Sequence, residues 1–265
     1  IPAYEWNFGD VNPPVHAWAA LHVWAIDGRT DRKFLARLLP KLLLNFTWWV
    51  NRMDPDGTNL FGGGFLGLDN ISPIDRSNLP VAGRLEQADG TNWMAFYALA
   101  LWQMSNILAT EDDAWTDLEV KFIEHFALIV EAMRSQGLWD DQDGFFYDVF
   151  TTPQGEKIPI RSRSIVGVLP LLSTVVLGPE TLGPLETMGK RFEALRERFS
   201  AKGQSGVGQV LADLSDNHLV LGVIPTGDGF RVLHRVFDED EFLSPHGLRA
   251  LSRHHLENPV SLDLE

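Results

Sequence analysis

Gln87 to Thr110, QADGTNWMAFYALALWQMSNILAT, constrains the fold of this chain more than any other stretch. Wound at 3.6 residues per turn, it places apolar residues on nearly every face. A helix that is apolar all round is stable in water only when other elements cover it on all sides. The chain is therefore expected to fold around this segment. Helical spacing also governs its surroundings. From Pro13, PPVHAWAALHVWAID has two prolines placed for a helix start. Asp31 to Arg52 reads as a second helix, with Pro40 predicting a kink or break near its middle. Asp113 to Gln136 is a fourth, amphipathic helix. Ser164–Leu177, Glu180–Phe199, Asp228–Phe237 and Pro245–His255 are shorter candidates. Strand signals are weak, because no Asn-Gly or Asp-Gly turn is flanked by clean alternation. The expected class is all-α, built from helical hairpins. No Pro/Ser/Gly-rich linker divides residues 1–265, so one domain is expected, with 200–227 its loosest stretch.

An internal echo supports a repeated layout. DPDGTNLFGGGF follows the second helix and DDQDGFFYDVF follows the fourth. A helix pair followed by a long loop, repeated, is how a helical toroid is written. The Asp-x-Asp-Gly turns resemble calcium loops, but both lack the full ligand set and the twelfth-position Glu. They read instead as Asx-type turns, and neither a metal nor a cofactor is expected.

Charge and composition narrow the partners. The net charge is −14, which disfavours nucleic acid and anionic membrane surfaces. There are no cysteines, so thiolate chemistry and sulfur-based zinc sites are excluded. No apolar run approaches a membrane span and no signal peptide opens the chain, so a cytoplasmic protein is expected. No G-x-S-x-G is present, and GGGFLG is not a dinucleotide fingerprint. A sugar epimerase would want a His pair facing a cavity. His16 and His22 lie six apart on one helix, the wrong offset to share a face.

Carboxylates with aromatics remain. Residues 62–77 read GGGFLGLDNISPIDRS, in which three glycines lead to one acid, Asp69, among Leu68, Asn70 and Ile71. Glycine lets a backbone turn tightly or approach a ligand closely. A carboxyl among apolar groups has its pKa raised, which suits a proton donor near neutral pH. The plain alternative is a surface loop whose Asp caps the next turn. Similar clusters flank the other helices: Glu5-Trp6-Asn7 and Asp10-Val11-Asn12 before the first, Glu86, Gln87 and Asp89 at the third, Trp139, Asp140 and Tyr147 after the fourth. Acids, amides and indoles around a concavity are what a sugar site requires. All four clusters as structural caps is the competing reading.

Four motifs in order, PAYEWNFGDVNPPVHAW, LLLNFTWWVNRMDPDGTNLFGGGFLGLDNISPIDRS, LEQADGTNWMAFYAL and LWDDQDGFFYD, resemble the catalytic region of family 63 glycoside hydrolases. These include processing α-glucosidase I and the mannosylglycerate hydrolases, with the trehalases as more distant relatives. The resemblance runs from Ile1 to about Leu172 and, more faintly, through EFLSPHGLRALSRHH. It implies an (α/α)6 barrel and an inverting hydrolase of an α-glucoside or related glycoside. It implies Asp69 as general acid, with Trp6, Asp10, Asn12, Asn70, Arg76, Asp89, Trp139 and Asp140 as substrate-site residues. The spacing D-N-I-S-P-I-D-R is longer than the usual D-N-x-P-R, and Asp89 is expected behind the pocket or as a cap that shapes it. The family's general base is a Glu in the last barrel loops, and its first hairpin carries a Trp-Asp motif. Neither is found here, so the chain is expected to be an internal, incomplete segment, inactive by itself. The alternative is a non-catalytic helical-toroid module that binds carbohydrate or acts as a scaffold.

Overall fold

The computed structural model describes residues 2–4, 7–54, 56–62, 68, 70–178, 197, 200–201, 213–215 and 218–263. Two short strands, β1 (Pro2–Tyr4) and β2 (Asn7–Val11), pair antiparallel before the first helix. Four helices follow: α1 (His16–Ile26), α2 (Arg32–Met53), α3 (Ala88–Ala109) and α4 (Thr116–Ser135). They match the four long helices expected, apart from a later start for α1.

α3 is the centre of the described structure. Seventeen of its 22 residues are buried, which is what its all-round apolar sequence demanded. It packs most extensively on α4, then on α2 and α1. Met94, Tyr97, Ala98, Leu101 and Trp102 meet Phe46 and Trp49 of α2 and Phe122, Phe126 and Val130 of α4 in one core. The Tyr97 hydroxyl donates to the Leu42 carbonyl at 3.0 Å, tying α3 to α2. α2 is capped by Asp31, whose carboxylate accepts the Phe34 amide at 3.0 Å. Pro40 does not break this helix. It is exposed, on the side where water can satisfy the carbonyl that a proline leaves unpaired.

The expectation of an all-α chain is corrected. Among the described residues twelve short strands form five small antiparallel sheets. β3 (Arg84–Glu86), β6 (Asp148–Thr151) and β7 (Lys157–Ile160) make a three-stranded sheet, order β3-β6-β7. β4 (Trp139–Asp140) and β5 (Phe145–Phe146) form a hairpin around the second Asp-x-Asp-Gly turn. β8 (Thr174–Leu177) pairs with β10 (His218–Gly222), which also pairs with β9 (Asp213–Ser215). β11 (Leu243–Ser244) and β12 (Gly247–Leu248) close a last hairpin. Such short strands leave no alternating pattern in the sequence.

Two shorter helical expectations are overturned. Ser164–Leu177 folds as two 3-10 turns and β8, because Pro170 interrupts it and the β-branched run Thr174-Val175-Val176 finds a partner strand. Pro245–His255 becomes part of the β11–β12 hairpin and a 3-10 turn at Arg253–Leu256. Asp228–Phe237 is helical as expected, in α5 (Thr226–Val236). Glu180–Phe199 lies outside the described residues but for Glu197.

Candidate active site

The β3–β6 pairing sets Glu86 opposite Val149, so the first turn of α3 begins beside Asp148. Asp148 accepts the amide of Ala88, the first residue of α3, at 2.8 Å. It thereby caps a helix whose own N-cap, Gln87, offers no side-chain bond. A carboxylate at a helix N-terminus is further stabilised by the positive end of the helix dipole.

Between α3 and this strand sits Arg76, with only 4% of its surface exposed. Its Nε donates to Asp148 Oδ2 at 2.7 Å and Nη2 reaches Asp148 Oδ1 at 3.3 Å. Nη1 donates to Asp89 Oδ2 at 3.1 Å, and Nη2 makes a short bond to Asp89 Oδ1. Both carboxylates are therefore gripped bidentately, the geometry the planar guanidinium is built for. Burial disfavours the guanidinium's charge, but the two carboxylates outweigh it and hold its pKa above the ordinary value. Burial pushes the Asp89 carboxyl up against the pull of Arg76.

Arg76 has one further acceptor. Its Nη1 donates to the Leu68 carbonyl at 3.2 Å. The other described end of the glycine segment is also fastened to α3. The Phe61 amide donates to Thr91 Oγ1 at 2.9 Å, and the Gln87 amide donates to the Phe61 carbonyl at 3.4 Å. Gly90 permits this approach, since a Cβ there would lie 2.9 Å from the Phe61 carbonyl oxygen. Phe61 and Leu68 are thus both held to the start of the central helix.

The expected site residues fare differently. Asp69 and Trp6 lie outside the described residues, and Asp10 is described only as backbone in β2. Asn12 and Asn70 are exposed. Arg76 and Asp89 are brought together, buried behind the loop. Trp139 is 5% exposed, packs on Phe146 at 4.9 Å between centroids, and has the guanidiniums of Arg134 and Arg231 over its ring. Its indole N–H donates to Asp141 at 2.8 Å. It is a core residue in this fold and presents no open face. Asp140 accepts the Asp143 amide at 2.8 Å and pairs with Arg161 at 2.6 Å, so it closes its turn. Asp54 does the same for the first such turn, accepting the Thr58 and Asn59 amides at 2.8 and 2.7 Å. Among the described residues no three potential ligands could hold a metal ion.

Sequence reasoning singled out neither Asp148 nor the Leu68 carbonyl. A signal for Asp148 existed: a lone carboxylate inside Phe145-Phe-Tyr-Asp-Val-Phe150 must be buried, and a buried acid needs a cation.

With this geometry in view, the chain can be set beside known proteins. Residues 2–66 match the mannosylglycerate hydrolase MGH1-like glycoside hydrolase domain. The matched segment takes in the first of the motifs that resemble family 63 glycoside hydrolases and part of the second. The uncharacterized protein YMR196W of Saccharomyces cerevisiae is 40% identical over 293 aligned positions, which take in the whole chain. The chain spans only 26% of that relative's length. Among solved structures, the mannosylglycerate hydrolase from Thermus thermophilus in complex with glucose aligns at 21% identity and TM-score 0.48, over 62% of this chain and 48% of that one. An uncharacterized conserved protein from the same organism aligns at 21% identity and TM-score 0.49, over 64% and 51%. Likeness at that level does not define a common fold.

Proposed function

We propose that this chain is the acid-bearing part of an inverting α-glycosidase with an (α/α)6-barrel catalytic domain, acting on an α-glucoside or a related α-glycoside. The observation that carries the reading is the buried Arg76 cluster, which holds the carbonyl of Leu68, the residue directly before Asp69. Two carboxylates and a guanidinium buried together are costly unless each is hydrogen-bonded, and here the same guanidinium also fixes the Leu68 carbonyl. Asp69 is the proton donor to the glycosidic oxygen. Arg76, Asp89 and Asp148 position it and do not touch the sugar.

Inversion needs a second carboxylate, roughly 6.5–9.5 Å away, to activate water on the opposite face of the ring. That base comes from outside the 265 residues. The substrate is neutral carbohydrate or a glycosyl-glycerate type glycoside, the kind of compound named for the Thermus enzyme.

Asp69→Asn in the full-length protein tests the reading. Turnover of α-glucosides falls by orders of magnitude while the urea unfolding midpoint stays within experimental error. Near-normal hydrolysis by that variant refutes the assignment of the acid.

A further inference from the structure

A cavity of about 350 Å³ opens between residues 70–73 and the C-terminal segment 251–260. That volume is at the small end of the range for small-molecule sites, about 300–1,000 Å³. Its polar edge is Asn70, Ser72, Ser162 and His255, and its apolar wall includes Leu251 and Val260. Asn70 is exposed, so its amide has bonds to offer, whereas the Ser72 hydroxyl is buried behind the surface. Ser162 Oγ donates to the Ile71 carbonyl at 3.3 Å, joining the loop to the chain just after β7.

Charge is what distinguishes this cavity. No Lys or Arg is among the described residues that line it. His255 spends both ring nitrogens: Nε2 accepts the Arg163 amide at 2.8 Å, and Nδ1 donates to the Asn258 carbonyl at 2.8 Å. That pairing requires the neutral imidazole. The neighbouring guanidiniums are committed elsewhere, Arg161 to Asp140 and Asp143, Arg163 to Asp143 and Glu241. A carboxylate entering the cavity would meet no cation among the described residues that line it. A neutral sugar or polyol brings hydroxyls for the Asn70 amide and CH edges for the aliphatic wall.

We infer that this cavity receives the neutral sugar or polyol unit next to the cleaved bond, and that it selects against a leaving group bearing a carboxylate. The position beside the cleaved bond rests on the proposed role of Asp69; the preference for a neutral ligand rests on the lining alone.

The test reads turnover and binding separately on the full-length protein. 2-O-α-Glucosylglycerol and 2-O-α-glucosylglycerate differ only in a hydroxymethyl against a carboxylate. The neutral glycoside is the better substrate by at least about tenfold in kcat/KM, and Val260→Lys narrows that ratio by lowering KM for the anionic one. Equal or better use of the glycerate by the parent protein overturns the inference, as does a ratio unmoved by Val260→Lys. Saturation-transfer NMR with D-glucose and D-glucuronate as free probes needs no catalysis. Glucose contacts that vanish when Val260→Trp fills the cavity, with glucuronate silent, support the inference even if neither glycoside is cleaved. Glucose contacts indifferent to Val260→Trp sink it, whereas failed hydrolysis with glucose still in the cavity sinks the Asp69 reading alone.

Discussion

Arg76 has almost no contact with water, yet it satisfies two carboxylates and one main-chain carbonyl. Its worth is best judged by what its loss leaves behind. Arg76→Leu strands two buried carboxylates and destabilises the fold by about 3–5 kcal/mol, read from the urea midpoint. Arg76→Lys retains the charge but has no fork to hold Asp89, Asp148 and Leu68 together. Under the proposed function its kcat falls well below that of the parent while KM barely moves. A second cluster reports through pH. Burial alone would raise the Asp143 carboxyl, but the Tyr147 hydroxyl and the guanidiniums of Arg163, Arg161 and Arg235 more than offset it and hold its pKa below the usual value. The folded protein then binds fewer protons than the unfolded chain in the interval between the two values. Stability from Asp143 is present above the unfolded value, about 3.9, and is lost as pH falls through the lower folded one. Asp143→Asn flattens that acid limb of the Tm–pH curve. An unchanged slope below about pH 4 would show that the other carboxylates carry it.

At the scale of elements, the sequence was clear where a segment decides its own structure. α3 is apolar all round and α4 is amphipathic, and both fold as their periodicity requires. The five small sheets were not legible, because a strand of two residues such as β4 exists only through its partner. The turn Ile165–Gly167 is an instance of packing ruling over local preference. A Cβ on Gly167 would lie 2.3 Å from the Phe146 carbonyl oxygen and as close to the Phe145 ring. Gly167→Ala therefore forces β5 away from this turn, and a loss of about 1–3 kcal/mol is expected in the unfolding free energy. A neutral effect would mean that the hairpin shifts at no cost.

For the molecule as a whole, the described residues pack around α3, with Phe61 and Leu68 held at its start, and the chain spans 26% of its yeast relative. Under the proposed function this segment on its own releases no sugar from α-glucosides, whereas the full-length protein does. Hydrolysis by the segment alone would place the general base within it. The order of motifs, the buried central helix and the likeness to family 63 were all written in the linear chain, since each depends on residues close in sequence or on local periodicity. Tertiary structure alone brought Arg76, Asp89 and Asp148 together, from positions 13 and 72 residues away from the arginine. It also closed the ring of Trp139 under two guanidiniums and left no cation among the described residues that line the cavity beside Asn70. Ion pairs and cavities are set by distances in space, and a sequence specifies those only through the packing of everything between.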